Sequence, residues 1–296
     1  MKALLAEYTV FDNPAPAHEG RAMLRVLKES FENCGYEVLV PESGRGSFED
    51  ELRRLAPLSD IGLVIAPDHQ LSRYTKIIED LTYNIGCGSM NVALCANKRI
   101  TGSVLAANGV AVPAEVTEGL RVIKQTYGCA TENMRLSDEE PGEGEFGQEY
   151  IRGENISVSL IGSRVVGEAC LYFTGAGPLV LSVNRQNIVL KDGVFHYEGG
   201  ETPVEHPMME EIIATARKAA TVLGCQGYVG IDMVVADRPY VVDVNPRPTS
   251  SLVGIVEIMD EEIADLLVRA SHGHAPEEVH LNGHVTFDRH SQVVRS

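Results

Sequence analysis

The segment GYVGIDMVVADRPYVVDVNPRP, residues 227–248, restricts the fold more than any other part of the chain. Two runs rich in β-branched and aromatic residues flank Asp237-Arg238, which reads as a β-hairpin. A turn at that dipeptide sets Asp232 directly opposite Asp243, and strand alternation places Asn245 on the face that carries Asp243. Carboxylates facing each other across a ladder repel and destabilise the sheet. Both strands are otherwise apolar and read as central, so a solvated hairpin face explains the two acids poorly. A divalent cation between them removes the conflict, and ligands of this oxygen type suit magnesium or manganese. The donor-rich turn Asn245-Pro246-Arg247-Pro248-Thr249-Ser250-Ser251 follows, with a helix expected next whose N-terminus favours an anion.

The rest of the chain must supply a scaffold for that hairpin. Its first ~95 residues alternate short apolar runs with amphipathic stretches, the pattern of βα units in a small open α/β sheet. KALLAEYTV, YEVLVPE and IGLVIAP read as strands; GRAMLRVLKESFENCG, SFEDELRRLAP with a Ser47 cap, and SRYTKIIEDLTYN read as helices. No G-x-G-x-x-G follows the first strand, which argues against a dehydrogenase-type dinucleotide site. From Asn91 the texture changes to a helix–turn–helix rhythm, and GLRVIKQTYG reads as a strand running into a turn. LSDEEPGEGEFG reads as a solvated acidic loop, and antiparallel strands are expected around Gly162-Ser163 and around a hairpin turn at Asp192-Gly193. PMMEEIIATARKAATVLGC is a strong helix, and a last helix is expected around VEIMDEEIADLLVRASHG. A polar tail follows, in which His272, His274, His280, His284 and His290 read as solvated rather than as a transition-metal site.

Charge narrows the function. Asp and Glu number 42 against 25 Lys and Arg, a formal charge of −17, which argues against a nucleic-acid surface and leaves any bound nucleotide dependent on local cations. No apolar stretch approaches the ~18 residues of a membrane span, and Glu7 breaks the first apolar run, so the N-terminus reads as a strand rather than a signal peptide. Six cysteines without a CxxC pair are expected to be reduced thiols of a cytoplasmic protein.

Two lysines and one extended run complete the candidate site. Lys124 ends the apolar run Leu120–Ile123, where its ammonium can reach a phosphate, and Lys98 lies just inside the same middle segment. Gln148-Glu149-Tyr150-Ile151-Arg152-Gly153-Glu154 can offer backbone groups to an adenine edge and a carboxylate to ribose hydroxyls.

In their order (lysine, lysine, E-[YF]-[IV]-x-G-E, then D…[DE]-x-N-P-R) these elements resemble the ATP-grasp superfamily across essentially the whole chain. The resemblance implies an α/β protein with α+β lobes: a Rossmann-like pre-ATP-grasp domain over 1–95, a small subdomain over 96–155 carrying lid and adenine hinge, and a large subdomain over 156–296 carrying the metal site. It implies ATP with Mg2+ or Mn2+, two ions per site, held by Asp232, Asp243 and Asn245. Lys98 and Lys124 would contact phosphates, Glu149, Tyr150 and Ile151 the adenine, and Glu154 the ribose. Arg247 would sit at the transferring phosphate, and Arg185 of S-x-N-R-Q would stabilise phosphate charge from a strand facing the site.

Within the superfamily, IAPDHQLSRYTKIIED, NIGCGSMNVALCANK, RVIKQTYGC, RGENISVSLIGSRVV and PLVLSVNRQNI resemble the tyramine–glutamate ligase family of methanofuran biosynthesis. That likeness implies an ATP-dependent ligase joining the γ-carboxylate of L-glutamate to tyramine, and names Glu7, Tyr8 and Glu19 as substrate contacts. It allows a homodimer, which no stripe in the sequence specifies. Two features depart from the family pattern: Asn97 stands where an Asp often precedes the first lysine, and the loop after Lys124 is poor in glycine. Other amino-acid or amine substrates, and a non-catalytic ATP-binding regulatory module, are the competing readings.

Overall fold

The computed structural model describes residues 1–12, 17–128, 134–164 and 177–295. The first sheet has the order β2-β1-β3-β4 and is parallel throughout: β1 (Lys2–Glu7), β2 (Glu37–Leu39), β3 (Ile61–Ile65) and β4 (Tyr83–Asn84). Helices α1 (Tyr8–Asp12), α2 (His18–Asn33), α3 (Phe48–Leu55) and α4 (Asp68–Leu81) connect them. Parallel strands are covered on both faces. Ala3 and Leu5 pack with Met23, Leu27 and Phe31 of α2, and Leu4 and Ala6 pack with Leu52 of α3 and Leu71 and Ile78 of α4. The expected Ser47 cap is present as a reciprocal capping box with Asp50. The first strand is shorter than its apolar run suggests. It ends at Glu7, whose carboxylate accepts from Val10 N (2.6 Å) and Thr9 Oγ1 (2.9 Å), and this turns Tyr8–Asp12 into a helical turn.

Helices α5 (Ser89–Ala96) and α6 (Lys98–Ala107) realise the expected helix–turn–helix rhythm, split at Asn97, whose side chain accepts from Ile100 N as the cap of α6. A ten-stranded sheet follows. Its path is β12-β11-β8-β9-β10-β6-β5-β7, with two further strands off the path. β5 (Arg121–Gln125), β6 (Arg135–Ser137) and β7 (Glu145–Glu149) form a small antiparallel leaf, so both ends of the acidic stretch expected as a loop are strands. β8 (Glu154–Gly162), β9 (Leu179–Lys191), β10 (Val194–Thr202), β11 (Gly227–Val235) and β12 (Pro239–Asn245) form the larger platform, with α7 (Met209–Val222) against one face. The turn at Asp192-Gly193 is as expected, both residues having positive φ, 50° and 78°. The partner strand expected after Ser163 lies outside the described residues.

The C-terminal part departs from expectation. The helix expected after the Asn245–Ser251 turn is α8 (Ser251–Val256), whereas the last helix, expected from Val256, starts only at Ile263 as α9 (Ile263–Ser271), and Met259 between them bridges to Leu281. The tail is not solvated coil. β13 (Val285–Asp288) pairs with β10 and with β14 (Val293–Arg295), and it buries Val285 and Phe287. The expected boundaries at 95 and 155 fall inside the last turn of α5 and inside the first residues of β8. One apolar cluster nevertheless runs from Leu4 through Cys95 to Val229, so the first sheet and the platform share a core.

Candidate active site

The hairpin β11–β12 places Asp232 opposite Asp243, as the sequence requires, but by another route. The connection is three residues, Ala236–Arg238, and Val242 is an extra residue on β12 that bulges between the pairs Asp232–Asp243 and Met233–Val241. In a regular strand Val241 and Asp243 would share a face. The bulge inverts that parity, so Val241 enters the core while Asp243 and Asn245 turn to the cleft.

Both acids have neighbours already. Asp232 Oδ1 accepts from Gln186 Nε2 and its Oδ2 from Asn245 Nδ2, each at 3.0 Å. Asp243 Oδ1 accepts from Lys98 Nζ at 2.5 Å and from Val244 N at 3.0 Å. Burial, and then the charge of Asp243, push the Asp232 carboxyl up to about 7. Burial opposes the charge of Asp243 as well, but Lys98 and Lys124 outweigh it and hold that carboxyl below its ordinary value. Beneath the acids Asn184 is fully buried and donates to Ser157 Oγ (3.2 Å) and Ser159 Oγ (3.1 Å), and Tyr228 OH donates to Ser159 Oγ at 2.8 Å. This polar layer fixes the strands that carry the acids.

Helix α6 and the leaf contribute the lysines. Lys98 is the first residue of α6, and its ammonium is raised above its ordinary pKa: burial opposes the charge, and Asp243 and Asp68 more than compensate. Lys124, on β5, donates to the carbonyl of the bulged Val242 at 2.8 Å, and burial lowers it to about 8. Between leaf and platform lies a cavity of about 310 Å3, at the lower end of small-molecule sites, whose apolar wall includes Val122, Ile188, Phe195 and Val234. Glu149, Tyr150 and Ile151 line it at the crossing from leaf to platform. Gly153 completes the crossing, where a Cβ would stand 2.2 Å from Val235 O.

The structure brings together Lys98, Lys124, Glu149, Tyr150, Ile151, Asp232, Asp243, Asn245 and Arg247 around this cavity. Arg185 and Glu154 are not among its lining residues. Alternation on β9 turns Arg185 away from Gln186, and its guanidinium pairs with Glu201 and, at 3.5 Å, with Glu154. The cleft position belongs to Gln186, which the S-x-N-R-Q run contains but whose contact with Asp232 no local pattern reveals. Arg247 lies against Asp68 at 3.5 Å and donates to Asn245 Oδ1 at 3.4 Å.

A second cavity of about 490 Å3 shares Glu19, Met23 and Arg247 with the first and is also lined by Glu7, Tyr8 and His18. Burial raises the carboxyls of Glu7 and Glu19, although Glu19 lies at the open mouth of the cleft. The histidines of the tail do not gather. His280 pairs with Glu261 at 2.7 Å, His284 with Glu201 at 3.2 Å, and His272 packs on Tyr83.

The residues fit a divalent cation. Two buried carboxylates face each other, Asp232 driven toward protonation by burial and then by the charge of Asp243, and the Asn245 amide lies beside them, its nitrogen on Asp232 and its oxygen toward Arg247. Among the described residues no three His, Cys, Asp or Glu side chains form a closed cage, so part of any shell would come from phosphates or water.

The ATP-grasp domain family matches residues 95–251. Tyramine–L-glutamate ligase of Methanocaldococcus jannaschii is 32% identical over 238 residues, covering 78% of this chain and 70% of that enzyme. The corresponding ligase of Methanocaldococcus fervens is 33% identical over 214 residues, covering 71% of this chain and 65% of that enzyme, just under two thirds of its length. The crystal structure of an ATP-grasp superfamily protein from Archaeoglobus fulgidus superposes with a TM-score of 0.78 at 27% identity, covering 97% of this chain and 92% of that one.

Proposed function

The chain belongs to the ATP-grasp family, and on that footing we propose that it is an ATP-dependent carboxylate–amine ligase that joins the γ-carboxylate of L-glutamate to tyramine, giving γ-glutamyltyramine, ADP and phosphate. The observation that carries the reading is the convergence of Asp232, Asp243 and Asn245 with Lys98 and Lys124 at the end of an apolar slot. Tyramine and glutamate come from the names of the two relatives.

A carboxylate in water is a poor electrophile. Transfer of the γ-phosphoryl group of ATP to it makes an acyl phosphate, a mixed anhydride with a good leaving group, and the amine then expels phosphate. The protein's task is positioning and charge neutralisation. Tyr150 and Ile151 receive the adenine against Val122, Ile188 and Phe195. Lys98 and Lys124 neutralise phosphate oxygens, and Arg247, between the two cavities, holds the phosphoryl group as it passes to the acid. Mg2+ or Mn2+ on Asp232, Asp243 and Asn245 supplies Lewis-acid neutralisation of phosphate charge when bound. Glu7, Tyr8 and Glu19 line the adjoining cavity, where carboxylates suit an amine and Tyr8 a ring.

The test is phosphate release from ATP with Mg2+ or Mn2+ and L-glutamate, with and without tyramine, and mass detection of the product. Tyramine-dependent release with a new γ-glutamyl amide is the expected result. Release with a different amine would keep the ligase and replace the substrate; ATP binding without release across a panel of amines would remove the ligase reading.

A further inference from the structure

The two lysines of the cleft, Lys98 on α6 and Lys124 on β5, are equally buried but hold different things. Lys124 donates to a neutral main-chain carbonyl, Val242 O. Lys98 donates to Asp243 Oδ1, one of the two carboxylate groups that the reading above gives to the metal. The side chains of Lys98 and Asp243 are only 7% and 12% exposed, so water screens this pair little. The ammonium occupies Oδ1, so a dication chelates Asp243 through both oxygens only by displacing it, and on Oδ2 alone it meets a little-screened like charge; the two therefore compete. Asp232, by contrast, is held by two neutral amides, Gln186 and Asn245, neither of which brings a charge that opposes the cation.

Resting on the proposed metal and nucleotide site, we infer that Lys98 is a built-in competitor for the cation, so that the site takes the metal together with nucleotide phosphates and binds it poorly alone. Phosphates resolve the competition because they offer Lys98 another anion. The Lys98 backbone is anchored at the first turn of α6, its N donating to Thr126 O at 3.0 Å, while its four-carbon stem can swing. Asp243 is then released to the metal, and the phosphates complete a shell that two carboxylates and an amide leave open. By linkage, nucleotide raises metal affinity by the same factor as metal raises nucleotide affinity. A cation arriving alone meets an ion pair already made; a cation arriving with its nucleotide meets a free carboxylate.

The experiment is Mn2+ binding to the full chain, read from the free-ion resonance signal, with and without a non-hydrolysable ATP analogue. Wild type, Lys98→Met and Lys124→Met are compared, the last as a buried cleft charge that touches no carboxylate. Wild type should bind Mn2+ alone weakly and about 30-fold or more tightly with the analogue, within the usual range of coupling. Lys98→Met should bind Mn2+ alone about tenfold more tightly than wild type, and the coupling should shrink by the same factor. Lys124→Met should gain clearly less affinity for the metal alone than Lys98→Met, because its charge reaches Asp243 only through space and blocks neither oxygen. Equal affinity for Mn2+ alone in wild type and Lys98→Met overturns the inference while leaving the nucleotide site standing. An equal gain in Lys124→Met also overturns it, since that is general electrostatics. If no variant binds metal or nucleotide under any condition, the site reading itself falls. Should Lys98→Met not fold, Lys98→Gln and the wild-type coupling alone decide: a wild type indifferent to nucleotide is incompatible with competition.

Discussion

Platform and leaf face each other across one cleft and are held together very differently. Along β8, β11 pairs residue by residue from Gly162 to Glu154, and Asn184, Ser157, Ser159 and Tyr228 tie the sheet together from within. Among the described residues the leaf joins the platform's sheet through a single register pair, Val194 with Arg135, together with the contact of Lys124 to β12. Groups that must hold a dication in fixed geometry stand on the rigid side. Groups that must release and regrasp phosphates stand on the side with few ties, where low-energy opening is expected.

The largest effect expected is on the platform. Asp243→Asn should lower ligase turnover by about 10²-fold or more, as when a positioned electrostatic group is lost, and should weaken the coupling between metal and nucleotide binding. A variant with full turnover would detach the acids from the chemistry. Lys124→Met should come next, weakening ATP binding by about tenfold, the scale of one charge-assisted contact, while leaving the platform's melting temperature unchanged. Calorimetric titration with ATP separates the two.

Gln186 and Arg185 sharpen the contrast within one strand. Gln186→Leu should weaken metal binding by about tenfold, as loss of an outer-shell partner does, whereas Arg185→Gln should alter turnover by less than about threefold. The reverse order would restore Arg185 to the site.

A further prediction concerns pH. Asp232 has a folded pKa raised from 3.8 to about 7, so its contribution to the stability of the metal-free protein is fully present below 3.8 and is lost as pH rises through about 7. Metal affinity should therefore rise with pH up to about 7, and Asp232→Asn should flatten the stability profile in that window. Thermal melts of metal-stripped protein across pH 4–8 read this directly. The smallest effect lies in the leaf. Arg135 beside Glu145 holds that carboxyl down at about 2, so their pairing is present above the ordinary 4.5 and lost as pH falls through about 2. Glu145→Gln should cost at most about 1 kcal/mol in a denaturant titration at neutral pH.

Much of this was legible in the residues, for reasons that also mark its limit. The parallel sheet followed from apolar runs alternating with amphipathic helices, and the facing acids followed from one hairpin. The bulge at Val242 left no sign, because Val241 and Val242 are both apolar and either could face the core. The same blindness misplaced Arg185: a functional run read as a motif hides the fact that neighbours on a strand point opposite ways. The tail reads as polar coil because only Val285 and Phe287 of β13 are buried, and the register that makes it a strand is set by β10, more than 80 residues earlier. The apolar wall of the cleft is assembled from β5, β9, β10 and β11, which no local window spans.

That tail has a mechanical consequence for β10. Its outer edge is divided between two claimants: near the turn Leu136 N and Phe195 N join β6 to residues 193–195, while Gly199–Thr202 are taken by β13. β13 and β6 hold separate stretches of the same edge, so with β13 in place β6 cannot pair with Gly199–Thr202. Shortening the chain before Val285 would remove β13 and expose a length of unpaired strand. The expected result is self-association along the bared edge, read as concentration-dependent oligomers in sedimentation.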